Sequence, residues 1–562
     1  MDVRATMLRV ASMRSKLKTP RKKPIDFRIH LTKSQAEKEM GHERRVKCAA
    51  AELQQMFLDK KVLSPVMKSN VPRNSKRKPI RLSCRYDVKY DGDGVFDKDK
   101  ARIVATELKK DSDLTEKEKK SPTVNTQVVF ATAAIAKAEG RKVMTADVSG
   151  AFLLAKPKRE VHLLMPKDLT TQLLEMYPGA YDSFVNEDGT MWTKADKAIY
   201  GTGDASKLWH DLVDDTMIKD GYTQNPYDRC CYNKMVDGVQ ITVLLHVDDF
   251  FMTSKSQKAL DEAKRMLMSA FDKVTFHEGL VHNYLKMKFD FTNAQYVSIN
   301  QYGFIHSLTE YYNVTETELV PAEKDLRKIP DSPMLNESAK DGFHSLAYKM
   351  LYLAKRTRPD ILVATHFLST RVQHPTQADA EKAYHCLRYL NGTKDLGLRL
   401  NAFDPTHVIQ YIDAAHAVHD NMKSHSGSVT TLGLGSIDSG STALDMNTKS
   451  ACESEYISMS DNVTNAIFMR NFLIAQGYDE HPAVIMQDNE AAIKLAENGF
   501  SSAMRTRHIN IRYFFVKDRI AKGEIEVKYC PTKLMIADCL TKPVQGQLFL
   551  ELRDLLLGYK QA

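Results

Sequence analysis

The sequence predicts an α+β chain of several folding units, on three observations. Its 562 residues, 43% hydrophobic and 27% charged, have globular composition and, at roughly 150 residues per unit, suffice for three or four units. Between residues 123 and 320, strand-like apolar runs alternate with helical periodicity. From 340 to 395 the pattern is largely helical, with Leu346, Met350, Leu353 and Ala354 along one face, before the turn-rich stretch NAFDPTH and a new strand at 408–413. That stretch is the clearest boundary in the chain.

Taken in order, residues 1–45 are basic and polar. No acid lies between Asp2 and Asp26, while Arg4, Arg9, Arg14, Lys16, Lys18, Arg21, Lys22 and Lys23 all fall there. Such a run reads as a solvated tail or the end of a preceding module, and as a source of salt-sensitive phosphate contacts. A helix is expected over 45–60, where Val46, Ala49, Leu53, Met56 and Phe57 recur at helical spacing. A second basic cluster runs Arg73, Lys76, Arg77, Lys78, Arg81 and Arg85, and residues 105–122 read as an exposed loop closed by Ser-Pro. The formal net charge of +9 is mild for this length and only weakly favours an anionic partner. Cys48, Cys84, Cys230, Cys231, Cys386, Cys452, Cys530 and Cys539 show no zinc-type spacing, and no apolar run reaches roughly 18 residues. The expectation is an intracellular protein with reduced thiols and no membrane partner.

Two sets of carboxylates carry the chemistry. In GVQITVLLHVDDFF (238–251), aliphatic residues lead into Asp248 and Asp249 and return to apolar residues, the pattern of a strand, an acidic turn and a strand. Adjacent carboxylates repel, so a hairpin tipped with them needs a counter-charge, which a pair of divalent cations supplies for phosphoryl transfer. Asp147, in VMTADVSGAFL (143–153), is the candidate third acid. Gly150 and Ala151 put small residues beside it, where backbone amides can approach phosphates, and Phe152 adds a ring that can abut a sugar C2′. The C-terminal part offers a second set, in which two metals about 4 Å apart would set a water against a phosphodiester. It comprises Asp413 on the strand VIQYIDA, Glu453 or Glu455 opening an amphipathic helix, Asp488 between a strand and a helix, and Asp538 in the final helical region.

These segments resemble copia-type retrotransposon polyproteins over roughly residues 45–550. DVSGAFLLAKPKREVHLLMP, LHVDDFFMTS, DKAIYGTGDASKLWH and DKDKARIVATEL are similar to that family's reverse transcriptase motifs, while ESEYISMSDNVTNAIFMRNFL, QDNEAAIKLAEN, RTRHINIRYFFVKDRI and YCPTKLMIADCLTKP are similar to its ribonuclease H motifs. TRPDI and LRYLNGTKDLGL match the linking region. The resemblance implies a right-hand polymerase followed by a ribonuclease H-like α/β domain. The divisions are a tail at 1–45, fingers and palm at 46–300, thumb and connection at 301–405, and the nuclease domain at 406–562. It implies RNA- and DNA-templated DNA synthesis at Asp147, Asp248 and Asp249, and cleavage of the RNA of a hybrid at Asp413, Glu453, Asp488 and Asp538, with Glu455 an open alternative to Glu453. All seven acids are implied metal ligands, for two Mg²⁺ per site or Mn²⁺ in their place. Lys100 and Arg102 are implied triphosphate contacts and Phe152 the sugar gate, with Gly150, Ala151 and Asp204 completing the nucleotide set. Arg505, Arg507, His508 and Arg512 form an implied nucleic-acid stripe.

The implied partners are RNA template, DNA primer, RNA–DNA hybrid, deoxynucleoside triphosphates and the integrase of the same element, in a cytoplasmic particle or the nucleus. Three departures stand out: Asp204 where the family usually has Gln, Lys286 where it has Gly, and Ser439 where it has Trp, with an irregular strand pair expected over 436–450. Asp204 and Lys286 keep open the reading of a decayed copy that only binds nucleic acid, and a remnant with ribonuclease activity alone is the other alternative.

Overall fold

The computed structural model describes residues 28–72, 79–90, 96–107, 114–498 and 510–561. Regular structure begins earlier than the basic composition suggests. Arg28–Leu31 is a strand paired with Ile80–Tyr90, and the helix Lys33–Gln54 follows at once. The tail expected through residue 45 is corrected accordingly. Thr32 and Gln35 close a capping box at the helix start, and Ala36 with Met40, then Ala49 with Leu53 beyond a kink at Gly41, lie one turn apart and are buried. The helix expected over 45–60 ends instead at Gln54, followed by one wide π turn, Gln55–Asp59.

The first sheet has the strand order Arg28–Leu31, Ile80–Tyr90, His162–Met165, Met191–Ala195, Leu63–Pro65, with Phe96–Thr106 also paired to Ile80–Tyr90. Residues 108–113 of the expected loop lie outside the described residues, and Glu116–Lys119 is a short capped helix. The second sheet runs Val274–Glu278, Lys142–Val148, Asp249–Ser254, Val239–His246, Asp228–Val236, Thr223–Asn225. Its central strands have apolar interiors, and the largely buried helix Thr126–Ala138 shares their core with Trp209, Val213 and Met217 of the helix Ala205–Lys219.

A small third sheet joins Val281–Tyr284, Met287–Asp290, Val297–Asn300 and Leu398–Leu400. Leu398–Leu400 pairs directly with Val297–Asn300. The helices Tyr302–Tyr311, Glu337–Ala354, Leu362–Thr370 and Gln377–Gly392 are therefore an insertion between neighbouring strands of one sheet, and the division expected at 300/301 does not separate two sheets. Leu285 and Lys286, both with positive φ, make the two-residue turn between the first two strands, so Lys286 occupies a conformation that ordinarily favours glycine.

The last sheet is mixed, in the order Asp438–Ala443, His425–Thr431, Ile409–Ala415, Ala483–Gln487, Ile525–Tyr529; the first two pairings are antiparallel and the last two parallel. The irregularity expected over 436–450 is absent from the strand itself, since Asp438–Ala443 pairs His425–Thr430 without a break. The helix Ala451–Ala475 covers this sheet, and its apolar face shares one core with the second sheet, while Met535, Ile536, Leu540, Phe549 and Leu552 share another with the inserted helices. Among the described residues no helix is long and apolar enough to cross a membrane, and all eight cysteines are free.

Candidate active sites

The first acid cluster follows from strand register. Val239–His246 and Asp249–Ser254 form an antiparallel hairpin whose last pair is His246 with Asp249, leaving Val247 and Asp248 as the turn. Two-residue hairpins of this kind need left-handed backbone, and Val247 supplies it at φ 58°. For a β-branched residue that is a strained choice, of the sort that persists where surrounding structure enforces it. Enforcement is visible: the Trp209 indole donates to the Val247 carbonyl at 2.5 Å, and the Val148 amide donates to the Asp248 carbonyl at 3.0 Å. On the other side of Asp249–Ser254 lies Lys142–Val148, in a register that sets Asp147 directly opposite Asp249.

The three acids expected from residues 101 positions apart thus meet at one end of the sheet. Phe250, Phe251 and Met252 behind them are fully buried. Burial, and then the charges of Asp248 and Asp147, push the Asp249 carboxyl from 3.8 up to about 7. Carboxylate oxygens of this kind suit Mg²⁺ or Mn²⁺, but among the described residues these three are not drawn together as tightly as the second cluster, whose three ligand oxygens all lie within 4.8 Å of one another.

The other expected nucleotide residues fall in three places. Gly150, at φ 66°, opens the short turn Ala151–Leu154, in which Ala151 is buried and Phe152 half-buried. The Phe152 ring lies 5.2 Å from that of Tyr200, centroid to centroid. Tyr200 was not singled out in the sequence; its hydroxyl's pKa is raised by burial and then by Glu52, Asp248 and Asp147, which places it in the field of the acids. Arg102 donates to buried Asp87 at 2.6 Å, and its guanidinium sits 5.8 Å from the Tyr200 ring centre, while Lys100 is half-buried on the same strand, in backbone register opposite Asp87.

Asp204 departs from the expected nucleotide role. It is buried at the start of the helix Ala205–Lys219 and accepts from Arg159 at 3.0 Å; Arg159 also donates to Glu107 at 2.8 Å, and Glu107 accepts the Gly203 amide. The carboxylate that replaces the family's amide is thus committed to an ion-pair network.

The second cluster also comes together, with one correction. Oxygens of Asp413, Glu455 and Asp488 all lie within 4.8 Å of one another. Glu453, the best match by motif, is elsewhere: its carboxylate accepts the Lys449 amide at 2.6 Å beside the Ser450 cap. The helix period explains the choice. Ser458 donates to the Asp413 carbonyl and Asn462 to Ser426, so these residues face the sheet. Glu455 is one turn before Ser458 on that face, whereas Glu453 is about 200° round the helix from Glu455.

Asp413, Glu455 and Asp538 are nearly fully buried. Burial and then the neighbouring carboxylates raise the pKa of Asp413, Glu455 and Asp488. Thr541 donates to Asp413, the Gln487 amide approaches Glu455 at 3.4 Å, and the Lys542 ammonium stands 2.6 Å from Asp538. Asp538 itself raises Asp413, so it borders the cluster without belonging to the tight trio. Gly427, opposite Asp413, makes this approach sterically open: a Cβ there would lie 2.7 Å from Thr541 and 2.8 Å from the Ala537 carbonyl. This donor set, too, is all oxygen and fits a hard divalent ion. Arg505, Arg507 and His508 lie outside the described residues, and Arg512 pairs with Asp461 at 2.9 Å.

Comparison with known proteins finds a family match over the segment that contains the first cluster. Residues 66–324 match the family model described as reverse transcriptase (RNA-dependent DNA polymerase). The chain is 26% identical over 492 residues to the retrovirus-related Pol polyprotein from transposon TNT 1-94 of Nicotiana tabacum, covering 86% of this chain and 36% of that one. It is 22% identical to the truncated transposon Ty1-A Gag-Pol polyprotein of Saccharomyces cerevisiae, covering 80% of this chain and 38% of that one. The chain therefore spans about a third of the length of these curated relatives. A foamy viral protease–reverse transcriptase in complex with double-stranded DNA aligns at 11% identity and a TM-score of 0.48, covering 86% of this chain and 69% of that chain.

Proposed function

The chain belongs to the Ty1/copia-type retrotransposon polyproteins with a reverse transcriptase, and from that premise we propose that it polymerises DNA on RNA and DNA templates at Asp147, Asp248 and Asp249 and cleaves the RNA of a hybrid at Asp413, Glu455, Asp488 and Asp538. The observation that carries the reading is the register that sets Asp147 against Asp249 beside the strained Val247–Asp248 turn.

Asp147 and Asp249 would hold the metals from neighbouring strands, with Asp248 held at the tip by the Trp209 bond to Val247. Divalent ions, when bound, supply the counter-charge and Lewis acidity of in-line phosphoryl transfer. Phe152, braced by Tyr200, would lie against the sugar and exclude a 2′-hydroxyl, and Arg102 with Lys100 would meet the triphosphate from the first sheet. In the C-terminal site Thr541 fixes Asp413, Gln487 orients Glu455, and Lys542 balances Asp538. RNA template, DNA primer and deoxynucleoside triphosphates are the proposed substrates. The element's integrase is a proposed partner, in a cytoplasmic particle or the nucleus.

The test pairs two assays with Mg²⁺: extension of an oligo(dT) primer on poly(rA), and cleavage of an RNA–DNA hybrid. Extension should vanish in Asp248→Asn and cleavage in Asp488→Asn, each without loss of the other. Extension no faster than in Asp248→Asn would remove the polymerase assignment, and cleavage that survives Asp488→Asn would remove the nuclease one.

A further inference from the structure

We propose that Lys60 is a positioning residue for nucleotide binding: its ammonium fixes the peptide planes of Ser149 and Gly150, so that the Gly150 and Ala151 amides face the triphosphate. The inference rests on the polymerase reading above. It starts from the end of the helix Lys33–Gln54. The wide turn Gln55–Asp59 closes with the Lys60 amide donating to the Gln55 carbonyl, and Lys61 then adopts φ 48°. Single wide turns depart from regular helical bonding and recur at functional sites. The result here is that the Lys60 side chain reaches the loop after Asp147, donating to the Ser149 carbonyl at 2.9 Å and the Gly150 carbonyl at 3.3 Å. The fit is close, for a Cβ on Gly150 would stand 2.5 Å from the Lys60 nitrogen.

A trans peptide points its carbonyl and its N–H in opposite directions. Gripping the carbonyls of residues 149 and 150 from one side therefore turns the amides of Gly150 and Ala151 to the other. Among the described residues neither amide donates to an acceptor in the protein. Successive unpaired amides at a left-handed residue form a concavity suited to phosphate oxygens. The same loop is held from behind by the Ser149 amide on the Lys273 carbonyl at 3.0 Å, and it leads two residues on to Phe152. Nothing in the sequence around Lys60 announces this role, because the contact spans 89 positions.

Lys60→Met keeps the chain length of the side chain and removes the donor; Lys60→Ala serves if the methionine variant is insoluble. The expected result in primer extension is a KM for deoxynucleoside triphosphate raised roughly ten- to hundredfold, the range for losing a charged hydrogen-bond donor, with kcat changed much less. A fall in kcat at unchanged KM would overturn the proposal, since loss of folded enzyme alone has that signature. If the wild-type protein extends no primer, the polymerase reading fails, and hydrogen exchange decides the positioning role separately. The Ser149 and Leu153 amides, bonded to the Lys273 and Gly150 carbonyls, should exchange faster in the variant. Unchanged exchange would refute the role.

Discussion

Asp249→Asn should stabilise the metal-free protein while abolishing polymerisation. The side chain keeps its shape but loses a charge that burial, Asp248 and Asp147 all oppose. In the unfolded chain this carboxyl ionises at 3.8, and in the fold at about 7. The fold therefore binds the proton more tightly, and the penalty has a definite sign: absent below pH 3.8, it grows as pH rises and is nearly complete at 7. At about 1.4 kcal/mol per tenfold in proton affinity, the ceiling is about 4 kcal/mol, and residual solvent contact brings the expectation to about 3 kcal/mol. Trp209 is a local reporter, since its indole is bonded to the hairpin tip and only one other tryptophan, Trp192, need be replaced by Phe. Urea titrations in EDTA at pH 5, 7 and 8 should show the Asn variant resisting unfolding better at pH 7 and 8, with the gap closing at pH 5. Mg²⁺ should raise the wild-type midpoint more than that of the variant. A variant no more stable than wild type at pH 7, or a gap that does not shrink in acid, would refute the account of this cluster as a site awaiting counter-charge.

The C-terminal site makes a sharper choice between two glutamates. Glu455→Gln should weaken Mn²⁺ binding, measured calorimetrically, by tenfold or more and abolish hybrid cleavage, whereas Glu453→Gln should keep both and lose about 1 kcal/mol of stability through its cap contact; the reverse pattern would restore Glu453. Arg358 and Asp360 are fully buried, paired at 2.8 Å, with further bonds from Arg358 to Thr393 and from Tyr389 to Asp360. Asp360→Ala strands the guanidinium and should cost about 3–5 kcal/mol in urea unfolding, and a loss under 1 kcal/mol would contradict the pairing. Burial, then His419, Arg327 and Lys355, depress the His366 imidazole from 6.5 to about 4. The unfolded chain therefore takes the proton first, and stability should fall as pH drops through that window by up to about 3 kcal/mol. Thermal midpoints between pH 7 and 4 should fall less steeply in His366→Gln, and parallel curves would reject this.

What the sequence disclosed depended on how local each cause is. The acidic hairpin was legible because the apolar runs on both sides of Asp248 and Asp249 lie within fourteen positions, 238–251. The four C-terminal regions were legible as a set, but the choice within one helix was not. Glu453 and Glu455 differ by only two positions, and the deciding fact is which face meets Asp413, visible once Ser458 and Asn462 show where the sheet lies. The strand Asp438–Ala443 was obscured because its partner His425–Thr431 is buried yet almost wholly polar, so no apolar alternation marks the pair. Asp204 was misplaced for a different reason. Its partners Arg159 and Glu107 come from other parts of the chain, and motif spacing carries no trace of such a network. The structured residues 28–45 were hidden by charge: the helix there is solvated on most of its surface and buries only Ala36, Met40 and Arg45 before its apolar second half.

The two acid clusters are joined by packing, and that bears on how they would work together. The inserted helices return through Leu398–Leu400 to the small sheet that they left at Val297–Asn300, so both ends of the insertion are anchored at neighbouring strands. Its core is shared with Tyr411 and Val429, on the strands around Asp413, and with Leu540 beside Asp538. On the opposite face, the helix that carries Glu455 shares its core with the sheet that carries Asp147 and Asp249, and its far end is tied there by Gln476, which accepts from Gln240 at 2.8 Å. Close-packed cores have few voids, resist compression and transmit strain. The separation of the clusters is therefore a property of side-chain volume along these two seams. A cavity cut into either seam, as by Phe472→Ala, would loosen the spacing between the two acid clusters before it altered the geometry of either set of acids.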